Sequence, residues 1–90
     1  MNETKLAISS LAMDLKRIAL GYHNGSEKTA KRFTEEAIKR IGEIEPLNVA
    51  PYIGEALKKV RIMLSYSKKA DIAEDALMYS TIFQNYALNS

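Results

Sequence analysis

His23 is the one histidine of this 90-residue chain, and cysteine is absent. Proton transfer near neutral pH therefore has a single candidate side chain, and thiolate nucleophiles have none. A metal centre built on several histidines or cysteines is excluded for the same reason. The carboxylates offer little more. Glu35–Glu36 and Glu74–Asp75 are adjacent pairs, and neighbours on a helix point about 100° apart, so neither pair converges on one proton or ion. No Glu-x-x-His motif is present, which removes the usual di-iron ligand set of helical bundles. Gly21, Gly25, Gly42 and Gly54 are scattered and build no phosphate-cradling loop. No cofactor is expected, and a catalytic role is disfavoured.

Two arrangements could still act on nucleic acid. Lys58, Lys59, Arg61, Lys68 and Lys69 place five positive charges within twelve residues, a pattern able to contact phosphates. Glu55, Asp71, Glu74 and Asp75 lie close enough to dilute that field, and the whole chain carries only +2. No cluster of base-reading residues follows a tight turn. Secondly, Arg17 precedes His23 with five residues between them. This spacing is similar to the Arg–x(4–6)–His motif of HEPN-type ribonucleases, and the resemblance implies RNA cleavage with His23 as acid or base. In that family a polar residue follows the arginine and the motif lies on a late helix. Here Ile18 follows, and the motif lies on the first helix.

The elements that would position these groups are all helical. Ile8, Leu11, Ala12, Leu15, Ile18, Ala19 and Tyr22 form a broad stripe at 3–4 spacing, predicting a helix over residues 4–22 with Asn2 or Thr4 as its cap. His23-Asn24-Gly25-Ser26 closes it, with Ser26 a good cap for the next helix. Ala30, Phe33, Ala37, Ile38, Ile41 and Ile44 stripe a second helix over residues 27–45, its wet face supported by Glu35–Lys39 and Glu36–Arg40. Pro46 should end it, because the residue before a proline avoids the α region. Pro51 suits the first turn of a third helix over residues 51–66, lined by Ile53, Ala56, Leu57, Val60, Met63 and Leu64. A short turn follows, and Asp71 with Glu74 forms a plausible capping box for the fourth. No stretch alternates with period two over five residues or more. The chain reads as a single all-α domain over residues 1–90, a small four-helix antiparallel, up-and-down bundle.

The final helix is the unusual one. Every Lys, Arg, Asp and Glu lies within the first 75 residues, and the last fifteen carry no charge. Ile72, Ala76, Tyr79, Phe83 and Tyr86 run along one face, with Leu77 and Leu88 beside it. The polar strip left over is narrow: Glu74, Thr81, Gln84 and Asn85. Such a helix should be covered on more than one side, as the centre of a bundle or as half of an interface. Its Ser, Thr, Gln and Asn content argues against a membrane span. Tyr52, Tyr66, Tyr79 and Tyr86 suit core edges or interfaces.

The first helix is apolar on two sides. Leu6, Met13 and Leu20 recur every seven residues, nearly opposite the main stripe. Three hydrophobes at this spacing make a linear seam of the kind a partner helix reads. Together with Leu77 and Leu88 they exceed what four short helices bury among themselves. Ninety residues alone bury only about 60–65% of their unfolded surface. The expectation is a non-enzymatic interaction module that self-associates as a homodimer, with an unidentified protein partner as the alternative occupant of the seam. Nucleic-acid binding through the Lys58–Lys69 cluster is a rival reading, less favoured, and a His23-dependent ribonuclease is another. Glu3 precedes the first lysine, and Ser9, Ser10 and Asp14 interrupt the early apolar run. No secretory leader is expected from that segment, and a cytoplasmic location follows by default.

Overall fold

Local chemistry sets where each helix starts and stops. The computed structural model describes residues 2–89, and the elements are α1 (Glu3–His23), α2 (Glu27–Ile44), α3 (Pro51–Tyr66) and α4 (Lys69–Asn89). No strand occurs among the described residues. Asn2 caps α1, its side chain accepting from the Lys5 N–H at 2.8 Å. At the other end Gly25 takes φ +74. The Ser26 N–H donates to the Gly21 carbonyl at 2.7 Å and the Gly25 N–H to the Tyr22 carbonyl at 3.2 Å. This is a Schellman closure, and it needs a left-handed residue that glycine supplies without a steric penalty.

Three expectations about helix ends need correction. Ser26 stands at the α2 cap position, but its hydroxyl donates to the Thr29 hydroxyl at 2.8 Å rather than capping a backbone N–H. Glu45, before Pro46, keeps right-handed helical dihedrals. Helix α2 stops because Pro46 has no N–H to continue the ladder, not because Glu45 leaves the α region. Asp71 does not cap α4, since that helix begins at Lys69 and places Asp71 in its first turn. The break from α3 instead comes from Ser67, whose extended backbone (φ −80, ψ 160) interrupts the helical path. An acid in the first turn remains favourable there through the helix dipole.

The helices form a bundle in chain order around a ring, α1 flanked by α2 and α4 and diagonal to α3. It measures 35 × 22 × 19 Å, and its length fits helices of about 21 residues at 1.5 Å per residue. One continuous core joins all four, with Phe83, Ile8, Leu11, Leu15, Ile18 and Ile41 among its fully buried side chains. Of the α4 residues expected at the centre, Ile72, Ala76 and Phe83 are buried while Tyr79 is half-buried. The helix packed closely on both flanks is α1, whereas α4 packs closely on α1 and more loosely on α3. Small residues explain why. Ala12, Ala19, Ala76 and Ser80 line the α1–α4 contact, where the Ser80 hydroxyl donates to the Ala12 carbonyl at 2.8 Å. Helix α3 stands further off, held by the larger Ile53, Leu57, Val60 and Met63. Tyr86 ties its start to α4: its hydroxyl accepts from the Ala50 N–H at 3.3 Å, and its ring meets Tyr52 edge-on at 5.9 Å.

Gly21 marks a close approach of α1 to α2. A Cβ placed there would lie 2.9 Å from the Ala30 nitrogen and 3.2 Å from its Cα, closer than backbone atoms tolerate. Gly54, inside α3, has nothing within 4 Å of that point. The two glycines therefore predict opposite outcomes. Gly21→Ala should destabilise the fold by about 1–3 kcal/mol through overpacking, despite alanine's better helix propensity. Gly54→Ala should stabilise it by up to about 1 kcal/mol. Thermal melts of the two variants check this, at about 4–8 °C of Tm per kcal/mol in a chain of this size. A higher Tm for Gly21→Ala would show that the contact yields.

Candidate functional site

The outer face of α1 carries the seam. Leu6 is 59% exposed, Met13 47% and Leu20 47%, because they lie on the side of α1 turned away from α2, α3 and α4. A hydrophobic repeat of seven drifts by about 20° per heptad on a straight α-helix, so the line runs obliquely. Leu6 borders the groove toward α2 with Ala7, Arg40 and Leu47. Leu20 borders the groove toward α4 with Ala70, Ala73 and Leu77. That second groove encloses about 480 Å³, and its polar rim is His23 and Glu74. Leu77 is 50% and Leu88 65% exposed. Leu20 and Leu77 thus share one groove, while Leu6 and Leu88 lie toward the other end of the α1–α4 pair.

The flank of the seam toward α2 holds a charge cluster that the spacing of residues did not suggest. Asp14 is buried between apolar positions of α1, and the Arg40 Nε donates to its Oδ2 at 2.9 Å. Arg17 lies 4.0 Å from the other oxygen and stands over the Phe33 ring at 5.2 Å, with Arg32 at 5.6 Å from the same ring. Arg40 was expected to pair with Glu36 along α2. It turns inward because a buried carboxylate needs a cation and hydrogen bonds far more than an exposed one does.

His23 is exposed in the last turn of α1, on its α4 side, whereas Arg17 lies on its α2 side. Six residues along a helix separate two side chains by about 120°, and the pair does not converge on one substrate position. Of the five basic residues, Lys58 pairs with Glu55 at 3.6 Å, and Arg61 and Lys69 pair with Glu45 and Glu27. Lys59 borders a groove between α3 and α4, and Lys68 is exposed in the α3–α4 turn. The hydrogen bond and charge of Lys69, with a contribution from Lys31, hold the Glu27 carboxyl below its ordinary range. A depressed carboxyl contributes stability above its unfolded pKa and loses it as pH falls through the folded value; for this exposed pair the contribution is small. No group of three or more His, Cys, Asp or Glu able to hold a metal occurs among the described residues. Among the described residues no helix is long and apolar enough to cross a membrane.

A second set of exposed hydrophobes was not anticipated. Tyr52, Ile62, Tyr66 and Met78 are exposed on α3 and the adjoining edge of α4, and Leu47 in the α2–α3 connection. Tyr66 faces solvent rather than a core edge. For Tyr52 and Met78, which border the groove between α3 and α4, the stand-off of α3 is the cause, whereas Ile62 projects nearly opposite the buried stripe of its own helix. Compared with known protein families, curated proteins and solved structures, the chain matches none.

Proposed function

We propose that this chain is a non-enzymatic helical interaction module that self-associates as a two-fold homodimer. The observation that carries the reading is the exposed seam of Leu6, Met13 and Leu20 on the helix that otherwise supplies the centre of the core. Three exposed hydrophobes in line on a solvated helix cost free energy that a partner surface removes, at roughly 25 cal/mol per Å² buried. A closed two-fold dimer is the commonest arrangement that removes it for every copy. It also adds burial to a domain too small to bury much by itself. We place the protein in the cytoplasm as part of the same proposal, on its composition.

Sedimentation equilibrium at tens of micromolar tests the reading, comparing the wild type with Met13→Glu plus Leu20→Glu. The wild type should be dimeric. Two carboxylates in a desolvated seam should weaken association by about 100-fold or more, while circular dichroism shows the helices intact. A wild type that is monomeric across this range contradicts the proposal.

A further inference from the structure

We infer that the dimer is an antiparallel crossing of α1 on the partner's α1, with Met13 on the two-fold axis and each Leu6 covering the partner's Leu20. The inference rests on the self-association reading and specifies its geometry. Met13 stands seven residues from Leu6 and seven from Leu20, so reversing one helix about Met13 brings the seam onto itself. A parallel pairing would also match like with like. The charges beside the seam separate the two.

Projected at about 100° per residue, Ser9 and Lys16 form the edge of the seam toward α4, and Ser10 and Arg17 the edge toward α2. An antiparallel two-fold sets each edge against its own reversed copy. Lys16 then faces the partner's Ser9, and Arg17 faces the partner's Ser10. A parallel two-fold instead sets the two edges against each other at equal height, bringing Lys16 against the partner's Arg17 twice over. Like charges in register are disfavoured at a helix interface. Ser9 and Ser10 are short and half-buried, which leaves room for the longer cationic stems. Arg17 keeps about half of its side chain exposed beside the seam, with its guanidinium over the Phe33 ring at 5.2 Å.

The oblique course of the seam fits the same arrangement. Two helices whose stripes drift by about 20° per heptad bring them into register when they cross at about 20°. Helix α4 then gains a contact of its own. Because Ser80 lies beside Ala12, Leu88, eight residues on, stands level with about residue 4 of antiparallel α1. The two-fold through Met13 carries the partner's Leu88 to the level of about residue 22. That is the Ala70–Ala73 end of the groove bordered by Leu20 and Leu77, which receives an apolar side chain.

Disulfide trapping reads this geometry directly, because the chain has no cysteine of its own. Helix axes roughly 8–10 Å apart bring facing Cα atoms within disulfide reach. Under mild oxidation Met13→Cys alone should form a covalent dimer, at least about tenfold faster than Leu6→Cys alone or Leu20→Cys alone. An equimolar mixture of Leu6→Cys and Leu20→Cys should form a heterodimer. Ser9→Cys mixed with Lys16→Cys should also cross-link, and this pair leaves the three apolar residues in place. Rapid linking of Leu6→Cys to itself would establish the parallel pairing and overturn the proposal. A wild type that sediments as a dimer, with neither Met13→Cys nor the Ser9→Cys and Lys16→Cys mixture cross-linking, would place the interface elsewhere and overturn the geometry while sparing self-association. A monomeric wild type removes both.

Discussion

Phe83→Ala is expected to destabilise the fold by about 3–5 kcal/mol, a large share of the stability of a domain this size. Phe83 is fully buried and the largest of the core side chains. Its ring lies 6.4 Å from Tyr79 in a nearly parallel stack, and all four helices contribute to the cluster around it. Truncation loses the transfer free energy of the ring and leaves a cavity that the flanking helices close only in part. A urea melt followed by circular dichroism measures the loss as a lower midpoint at similar slope. A change below about 1 kcal/mol would place Phe83 outside the packed centre.

Arg40→Ala is expected to have the second largest effect, about 3 kcal/mol. The Asp14 side chain is only 6% exposed, and removing its hydrogen-bonded partner leaves a carboxylate in the α1–α2 contact with incomplete compensation. Breaking a buried pair from one side costs about 3–5 kcal/mol. The lower end applies because Arg17 remains 4.0 Å from the other oxygen. Asp14→Leu should cost far less, within about 1 kcal/mol, since an apolar side chain suits the site and Arg40, 30% exposed, can turn to water. Equal losses in the two variants would show that packing of the Arg40 stem, not charge compensation, is what matters.

The contrast between Phe83 and Asp14 shows what the chain discloses on its own. Phe83 belongs to a stripe at 3–4 spacing, and so do Leu15, Ile41, Leu57 and their neighbours. Periodicity of that kind depends only on helix geometry, so four helices and most of the core are legible. Pro51 and the Asn24–Gly25 turn fix two boundaries through backbone chemistry that needs no tertiary partner. Asp14 reads as an ordinary polar break in an apolar run, because its partner stands 26 residues away on another helix. Lys69 rather than Asp71 begins α4 for a related reason. Ser67 sets the end of α3, and no Gly or Pro announces it. The stand-off of α3 was illegible as well, since it follows from how large side chains on three helices share one space. Exposure of Leu6, Met13, Leu20, Leu77 and Leu88 was legible as an excess of apolar faces. Exposure of Tyr52 and Met78 was not, because it depends on how closely α3 approaches, whereas Ile62 lies nearly opposite the stripe of Ile53, Leu57, Val60 and Leu64 and its exposure was legible.

The close seating of α4 along α1 also governs how the chain can fold during its own synthesis. Local pairing of α1 with α2 is available as soon as residue 44 has been made, because the Gly25 turn joins them directly. The other flank of α1 stays bare until Lys69–Asn89 follow. Phe83, the largest fully buried side chain, therefore arrives after most of the core. In the interval Ile8, Ala12, Leu15 and Ala19 present an uncovered apolar face, the condition under which nascent chains are most prone to wrong association. The part of α4 from Ala76 onward carries no charge and is well suited to end that interval, because it can lie down on α1 without first desolvating an ion.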